Sequence, residues 1–487
     1  MTPATGATIC VPLSDSRANV KTWARTSRPG FAVTCPRRCS TLSSSATTEA
    51  TGQEHVWSVS EHLDDILGSV RPLEPIELQL LDAQGCVLVE DVTVPVSLPP
   101  FDNSSMDGYA VRVADITGAS EEFPAVLTVI GDVAAGQGEQ PTVGAGQAAR
   151  IMTGAPLPPG AEAVVPVEWT DGGLGEGPVS GMRAHSAAPE GAFGEVRVHR
   201  PAEARAHVRA RGSDVRAGDR ALTAGTVLGA PQIALLAAIG RGTVTVRPRP
   251  RVVVMSTGSE LIQPGEELAK GQIYDSNSFA LTAAARDAGA IAYRVGAVAD
   301  DAETLRSTIE DQLIRADLIV TTGGVSVGAY DVVKEALESV GSAEDGVEDG
   351  SGIEFRKLAM QPGKPQGFGS IGPDHTPLLA LPGNPVSSYV SFEIFVRPAV
   401  RALMGLPDVH RPTARAELTA DKALTSPAGK RQFLRGQYDA DTGSVRPVGG
   451  AGSHLVAALA HANALIVVPE DTASVEPGTD VEVVLLG

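Results

Sequence analysis

From Arg251 onward, short apolar runs alternate with stretches whose apolar residues fall at helical spacing. Arg251–Met255, Ile291–Val298, Leu318–Val320, Phe355–Leu358 and Leu378–Leu381 are expected as strands. Leu318-Ile319-Val320 has the short, β-branched character of a strand buried on both faces of a parallel sheet. Helices are expected over Ser276–Ala288, Asp301–Ile314, Val332–Val340 and Val386–Leu403. This alternation over residues 250–405 predicts an open, doubly wound parallel sheet. Pro248 and Pro250 mark its start.

The pattern differs on either side. Ser60 reads as the cap of a helix with Leu63, Ile66, Leu67 and Val70 on its apolar stripe. Ile76–Leu78 suggests a strand, Val87–Val89 a strand or helix, and Leu98-Pro99-Pro100 a stiff hinge. Over about 112–213 the apolar runs are short and separated by Gly and Pro, as in a small β-rich domain, with strands expected at Ala125–Ile130, Ala163–Val167 and Glu195–Val198. Ala230–Ile239 reads as a helix and Val244–Val246 as a strand. After about 406 the alternation stops, and five strands (Arg415–Leu418, Phe433–Tyr438, Ser444–Val448, Ala464–Val468, Asp480–Leu485) with a helix near His454–Ala460 predict a second β domain. The expectation is an α/β multidomain chain: a discontinuous linker domain (54–100 and 214–249), a β-rich inserted domain (101–213), the doubly wound domain (250–405) and a C-terminal β domain (406–487).

A length of 487 residues accommodates this domain count. The net charge of −19 argues against nucleic acid as a partner, because phosphate backbones demand a basic face. No stretch approaches the roughly 20 uninterrupted apolar residues of a membrane helix. Three of the four cysteines fall in the first 39 residues, which makes no disulfide framework and fits a reducing cytoplasm.

Residues 1–53 stand apart: Arg17, Lys21, Arg25, Arg28, Arg37 and Arg38 face only Asp15 and Glu49, and no periodicity is present. A transit peptide, a misassigned start and a disordered extension share this composition, and we read the segment as a disordered extension. Cys35 and Cys39 have no second pair to complete a metal site. Deleting residues 1–53 is expected to leave the thermal midpoint and activity unchanged. A marked loss of either in the truncated chain would contradict this reading.

The candidate chemistry sits where strands end. Leu318-Ile319-Val320 runs through Thr321-Thr322 into Gly323-Gly324-Val325-Ser326-Val327-Gly328, followed by Asp331 and helical spacing. Glycines lacking Cβ atoms, placed before a helix start, let backbone N–H groups approach an anion. Ser256-Thr257-Gly258-Ser259-Glu260 and Pro382-Gly383-Asn384-Pro385 also follow expected strands. In a parallel sheet all three turns lie at one rim, where open α/β sheets bind ligands. Asp275 either caps the next helix or faces the same crevice, and Lys364 adds a cation on a Pro-rich loop. Glu260, Asp275 and Asp331 around a phosphate cradle suggest magnesium, which takes hard oxygen ligands. The acidic glycine-rich stretch 344–350 reads as a solvated loop. No zinc-spaced histidines, Walker lysine or nucleophile elbow occur.

Five motifs go further when taken together: Asn103-Ser104-Ser105-Met106-Asp107-Gly108-Tyr109-Ala110, Arg150–Pro156, Ile273-Tyr274-Asp275-Ser276-Asn277, Thr322–Gly328 and Pro382–Ser387. In this order, and with Arg431–Gly436 and Ala462–Pro469, the chain from about residue 55 to the end resembles the molybdopterin molybdenumtransferases, the family that includes the C-terminal domain of gephyrin. The resemblance implies a four-domain homodimer with its cleft between subunits. It implies that molybdate enters the dithiolene of adenylylated molybdopterin, AMP leaves and magnesium assists. It assigns Asp107, Asp214, Asp275 and Asp331 to catalysis and Glu260 and Asp331 to metal. Thr153, Gly323, Gly324, Ser326, Gly328, Lys364, Pro382, Gly383 and Asn384 become substrate-binding positions. Many members have lysine where this chain has Gln361, which leaves the anion contact to Lys364. The partners implied are the molybdopterin adenylyltransferase and molybdoenzyme maturation proteins. The alternatives are that adenylyltransferase activity itself, which needs only residues 251–405, and a non-catalytic cofactor-binding scaffold.

Overall fold

A computed structural model describes residues 55–136, 139–175, 177–181, 194–324 and 352–487. Its centre is a seven-stranded sheet. The elements in chain order are β1 (Val56–Trp57), α1 (Val59–Ser69), β2 (Arg251–Thr257), α2 (Asn277–Asp287), β3 (Ile291–Val298), α3 (Ala302–Leu313), β4 (Leu318–Thr322), β5 (Gly352–Leu358), β6 (Gln366–Ile371), β7 (Thr376–Leu381) and α4 (Pro385–Ser391). The strand order is β1-β5-β6-β7-β4-β2-β3. Strand β2 shows why its residues are apolar without alternation. Val252 and Val254 enter the core shared with α1, α2 and α4, while Val253 and Met255 enter the core shared with α3. Both faces are covered, so both sets of side chains are buried.

One strand differs from expectation. β6 pairs antiparallel with both β5 and β7, although the remaining pairings of this sheet are parallel. Its sequence, Gln-Gly-Phe-Gly-Ser-Ile, looks like a turn. The glycines are there because neighbouring strands approach too closely for a side chain: a Cβ on Gly369 would lie 1.8 Å from the Gly352 carbonyl oxygen.

The helix expected over Val386–Leu403 is interrupted. α4 passes into a π-helical turn, Phe392–Val396, before α-helix resumes at Arg397–Leu403. Pro398 has no N–H to give to the carbonyl of residue 394, and the wider turn absorbs the loss.

α1 begins two residues earlier than expected. Ser58, not Ser60, is its cap: Ser58 Oγ accepts from Glu61 N at 3.1 Å, and Glu61 Oε2 accepts from Ser58 N at 2.8 Å. β1 and α1 join the central sheet, with Val59, Ile66 and Val70 in its core, rather than packing with the rest of segment 54–100. His62, fully buried on α1, holds this junction. Arg356 Nη1 on β5 donates to His62 Nδ1 at 3.3 Å and to Asp65 at 2.7 Å, and its guanidinium lies 3.9 Å from the Trp57 ring centroid.

Burial first, then the Arg356 charge, pushes the His62 pKa down to about 4. The unfolded chain takes up this proton near 6.5 and the folded one only near 4, so stability is full above about 6.5 and falls as pH drops between these values. The loss should reach about 3 kcal/mol at full protonation. Thermal midpoints of the wild type should fall between pH 6.5 and 5, and those of His62→Gln should change much less over that interval. Equal slopes in the two proteins would remove His62 from the explanation.

Three further assemblies have sheets of their own. Ile76–Gln79, Thr243–Arg247 and Val87–Leu88 form a three-stranded sheet that packs with Ala230–Ala238. Glu195–Val198, Ala125–Val133, Gln147–Ile151, Gly108–Val111 and Ala163–Pro166 form a five-stranded sheet in that order. C-terminally, Arg431–Asp439 pairs with both Ser444–Pro447 and Ala464–Val468. This closes the sheet that also contains Thr413–Leu418 and Asp480–Leu485 into a barrel-like domain, leaving few free edges.

Candidate functional site

The three turns singled out in the sequence converge as strand direction requires. β2, β4 and β7 are parallel, with Val252 opposite Leu318 and Ile319 opposite Leu378. Their C-terminal ends open on a cleft of about 620 Å³ lined by residues of all three turns, among them Thr257, Gly258, Glu260, Gly323, Gly324, Gly383 and Asn384. Gly323 and Gly383 pack backbone against backbone, since a Cβ on Gly383 would lie 3.2 Å from Gly323 Cα. At Gly323 (φ +102°) a Cβ would lie 2.3 Å from the Thr257 carbonyl oxygen. Thr322 Oγ1 donates to the Pro382 carbonyl at 3.1 Å, and Asn277 Nδ2 donates to the Gly383 carbonyl at 2.7 Å. The turns therefore form one fixed surface of backbone and small polar groups.

Asp275 borders this cleft but is fully buried. Its carboxylate accepts from Ser256 Oγ at 2.8 Å, from Ser278 N at 3.1 Å and from Ser278 Oγ, with Arg294 at 3.7 Å. A carboxylate so engaged positions β2 against the start of α2. Asp275→Ala should cost about 3–5 kcal/mol, because it leaves Arg294 and the two serines without their buried partner. Chemical denaturation measures this, and a change under 1 kcal/mol would show the network to be dispensable.

Two residues that sequence reasoning missed join Glu260 in the cleft. Asp300 follows β3, with its Oδ2 3.4 Å from Ser259 N. Its neighbour Asp301 is the cap of α3, accepting from Thr304 N at 2.8 Å, and these Thr304 hydrogen bonds hold its carboxyl below the usual range. The pair Asp300-Asp301 thus splits, one capping the helix and one lining the cleft. His454 arrives from the C-terminal domain, where the Ser453 carbonyl accepts from Val386 N at 2.9 Å.

The remaining expected residues lie elsewhere. The antiparallel pairing of Gly108 with Ile151 sets Asp107, just before one strand, beside Thr153, just after the other. Asp107 Oδ1 accepts from Thr153 N at 2.7 Å and Thr153 Oγ1 at 2.9 Å. A Cβ on Gly108 would lie 2.0 Å from the Val165 carbonyl oxygen, so glycine is needed there for strand approach. Both Asp107 and Thr153 are exposed, and neither lines the cleft. Asp214 is exposed beside the hinge, its N–H donating to the Leu98 carbonyl at 3.0 Å. Lys364 is exposed on a loop between two cis prolyl bonds. A hydrogen bond to Lys364, partial burial and the Lys364 charge hold the Lys430 amine below its usual range, so these two amines adjoin. Pro382 supplies a carbonyl to the rim. Ser326, Gly328 and Asp331, with the expected helix Val332–Val340 and the acidic loop, lie outside the described residues.

The donor set suits one metal in particular. Among the described residues no group of three or more His, Cys, Asp or Glu side chains stands ready to hold an ion. Magnesium needs less from a protein: one or two carboxylates, with water and substrate phosphates completing its octahedron. Glu260 and Asp300 provide two carboxylates in the cleft, and buried Thr257 Oγ1 has no protein partner. These residues fit magnesium.

Comparison with known proteins covers nearly the whole described chain. Residues 57–240 match the MoeA N-terminal region (domain I and II), 253–402 a probable molybdopterin binding domain, and 417–486 the MoeA C-terminal region (domain IV). Molybdopterin molybdenumtransferase 2 of Mycobacterium tuberculosis is 46% identical over 88% of this chain and 98% of its own length. Molybdopterin molybdenumtransferase 1 of the same organism is 39% identical over 88% and 99%. The crystal structure of a molybdopterin biosynthesis MoeA protein from Pyrococcus horikosii superposes with a TM-score of 0.66 at 31% identity, covering 89% of this chain and 100% of that one.

Proposed function

This chain belongs to the molybdopterin molybdenumtransferase family, and from that membership we propose how its residues perform molybdenum insertion. The enzyme acts in molybdenum cofactor biosynthesis as a transferase. The reaction we assign is entry of molybdate into the dithiolene of adenylylated molybdopterin, with AMP leaving. The observation that carries the assignment is the cleft: a glycine cradle for a phosphate beside two carboxylates, Glu260 and Asp300.

Among the described residues, no lysine or arginine lines it. A phosphate brought against Glu260 and Asp300 would be repelled unless a cation stood between them. Glu260 and Asp300 would hold magnesium, with Asp331 assigned by its sequence position. Magnesium, when bound, offsets the negative charge of phosphate and leaving AMP. The Gly324 N–H, with Gly383 and Asn384, orients the phosphate, while Gly323, whose own N–H donates to the Leu381 carbonyl at 3.2 Å, lets the backbone approach closely. Pro382 and Asn277 keep their turns together. Ser326 and Gly328, which follow in the sequence, are assigned to substrate binding as well. Asp275 holds the cleft wall, and Lys364, helped by Lys430, attracts molybdate.

Asp107, preset by Thr153, and Asp214 are assigned to completing the partner subunit's cleft. This requires a homodimer. Mixing Asp107→Ala subunits with Glu260→Ala subunits should then restore up to about a quarter of wild-type activity through one intact composite site per heterodimer, as expected when two clefts act independently. Heterodimers without any regained activity would refute a shared site.

The adenylyltransferase reading needs only residues 251–405, whereas the relatives match along almost their entire length. No helix of the described residues is long and apolar enough to cross a membrane. We place the enzyme in the cytoplasm on its cysteine usage, and expect the adenylyltransferase and molybdoenzyme maturation proteins as its upstream and downstream contacts.

A further inference from the structure

The cleft has a second chemical character besides its polar rim. Between β2 and α2 the chain makes a two-stranded ribbon, Leu261–Ile262 paired in parallel with Ile273–Tyr274. Leu261 and Ile273 are cross-strand partners, and with Tyr274 they line the cleft. Apart from Pro385, they are the apolar side chains among its described lining residues. Ile273 is 55% and Tyr274 41% exposed, so much of their apolar surface meets water although both belong to a cavity wall. Such exposure is unfavourable unless a ligand covers it.

The ribbon is held in place before any ligand arrives. Tyr274 Oη donates to the Glu266 carbonyl at 2.8 Å. Ile273 N donates to the Glu260 carbonyl at 2.9 Å, and Asp275 N donates to the Ile262 carbonyl at 2.9 Å. Buried Asp275 then ties the ribbon's end to β2 and α2, and Asn277 ties α2 to Gly383 in the phosphate cradle. Shelf and cradle are therefore joined through five consecutive residues. A ring already fixed by a hydrogen bond loses little rotamer freedom on stacking.

We propose that Leu261, Ile273 and Tyr274 form a shelf for a planar heteroaromatic ring whose phosphate sits in the glycine cradle, and that this shelf sets the enzyme's preference for such ligands. The inference rests on the molybdenumtransferase reading, whose substrate carries two such rings, adenine and pterin. Both are flat, polarisable and linked to phosphate, as the shelf requires. An aromatic side chain supports bases of either kind, because stacking needs only a π-face.

Three probes test this on the full chain with magnesium: AMP, ribose 5-phosphate and adenylylated molybdopterin, with dissociation constants measured for wild type, Tyr274→Ala, Tyr274→Phe and Ile273→Ser. Circular dichroism and thermal midpoints verify folding. Loss of a stacking partner should weaken a ring-bearing ligand about tenfold to a hundredfold. Tyr274→Phe, which keeps the ring and loses only the tether to Glu266, should stay within about threefold, as a neutral hydrogen bond's modest net worth implies. Ribose 5-phosphate, which has no ring, should bind all four proteins alike.

Weakened AMP binding by the alanine or serine variant places adenine on the shelf. Unchanged AMP binding with weakened adenylylated molybdopterin places pterin there. If both ring-bearing ligands bind folded Tyr274→Ala and Ile273→Ser as tightly as wild type, the shelf is refuted and the proposed reaction is untouched. If wild type binds neither, the proposed reaction fails and the shelf fails with it.

Discussion

Glu260→Gln is expected to slow AMP release by about a hundredfold to a thousandfold while leaving the fold intact, the usual cost of removing one electrostatic group from a reacting centre. Glu260 is exposed at the end of β2 and shares the cleft with Asp300 and the glycine cradle. Glutamine preserves its shape and removes only the charge. A surface turn residue with no role would change stability by less than about 0.5 kcal/mol and leave the rate alone. The magnesium concentration giving half-maximal rate should also rise in this variant, because one of the two described carboxylates assigned to the metal is lost. An unaltered rate at limiting magnesium would make Glu260 a bystander.

Gly323→Ala should be still more damaging, and for a different reason. The added methyl would stand 2.3 Å from the Thr257 carbonyl oxygen and 2.9 Å from Thr257 Oγ1, on a backbone with φ +102°. Strain in that region costs about 1–3 kcal/mol for a residue with a side chain. Collision with β2 would in addition force apart the turns that hold the phosphate. We expect a thermal midpoint several degrees lower and AMP affinity reduced at least about tenfold. Gly265 provides the control: its φ is +101°, but nothing lies within 4 Å of an added Cβ. Gly265→Ala should show the strain alone and bind AMP normally. Equal binding defects in the two variants would mean that backbone strain, not closure of the cradle, explains the loss.

Periodicity revealed most of the central domain because both faces of its sheet are covered. Ile291–Val298, read from its apolar run, is the strand observed, and Leu318–Val320 extends only through Thr321 and Thr322. The rim follows from strand direction, so Glu260, Gly323, Gly383 and Asn384 are grouped by sequence and meet in the cleft. The same rule should have found Asp300, which also follows a parallel strand. It was hidden by Asp301, whose capping role is the more common signal at a helix start. β6 escaped because its glycines answer to close strand approach, a tertiary demand that local pattern does not carry. His454 escaped because it reaches the cleft from a domain whose own sequence says nothing of where it docks. Asp275 illustrates the opposite case. Its two readings, cap and cleft residue, were both legible, and the buried contacts with Ser256, Ser278 and Arg294 show how one residue does the first while bordering the second.

The most direct test of the account is release of AMP from adenylylated molybdopterin by the purified full chain with magnesium, with and without molybdate. The account predicts AMP release that requires molybdate and matches, mole for mole, the molybdenum entering the dithiolene. AMP release at the same rate without molybdate, or molybdenum incorporation without AMP release, would contradict it.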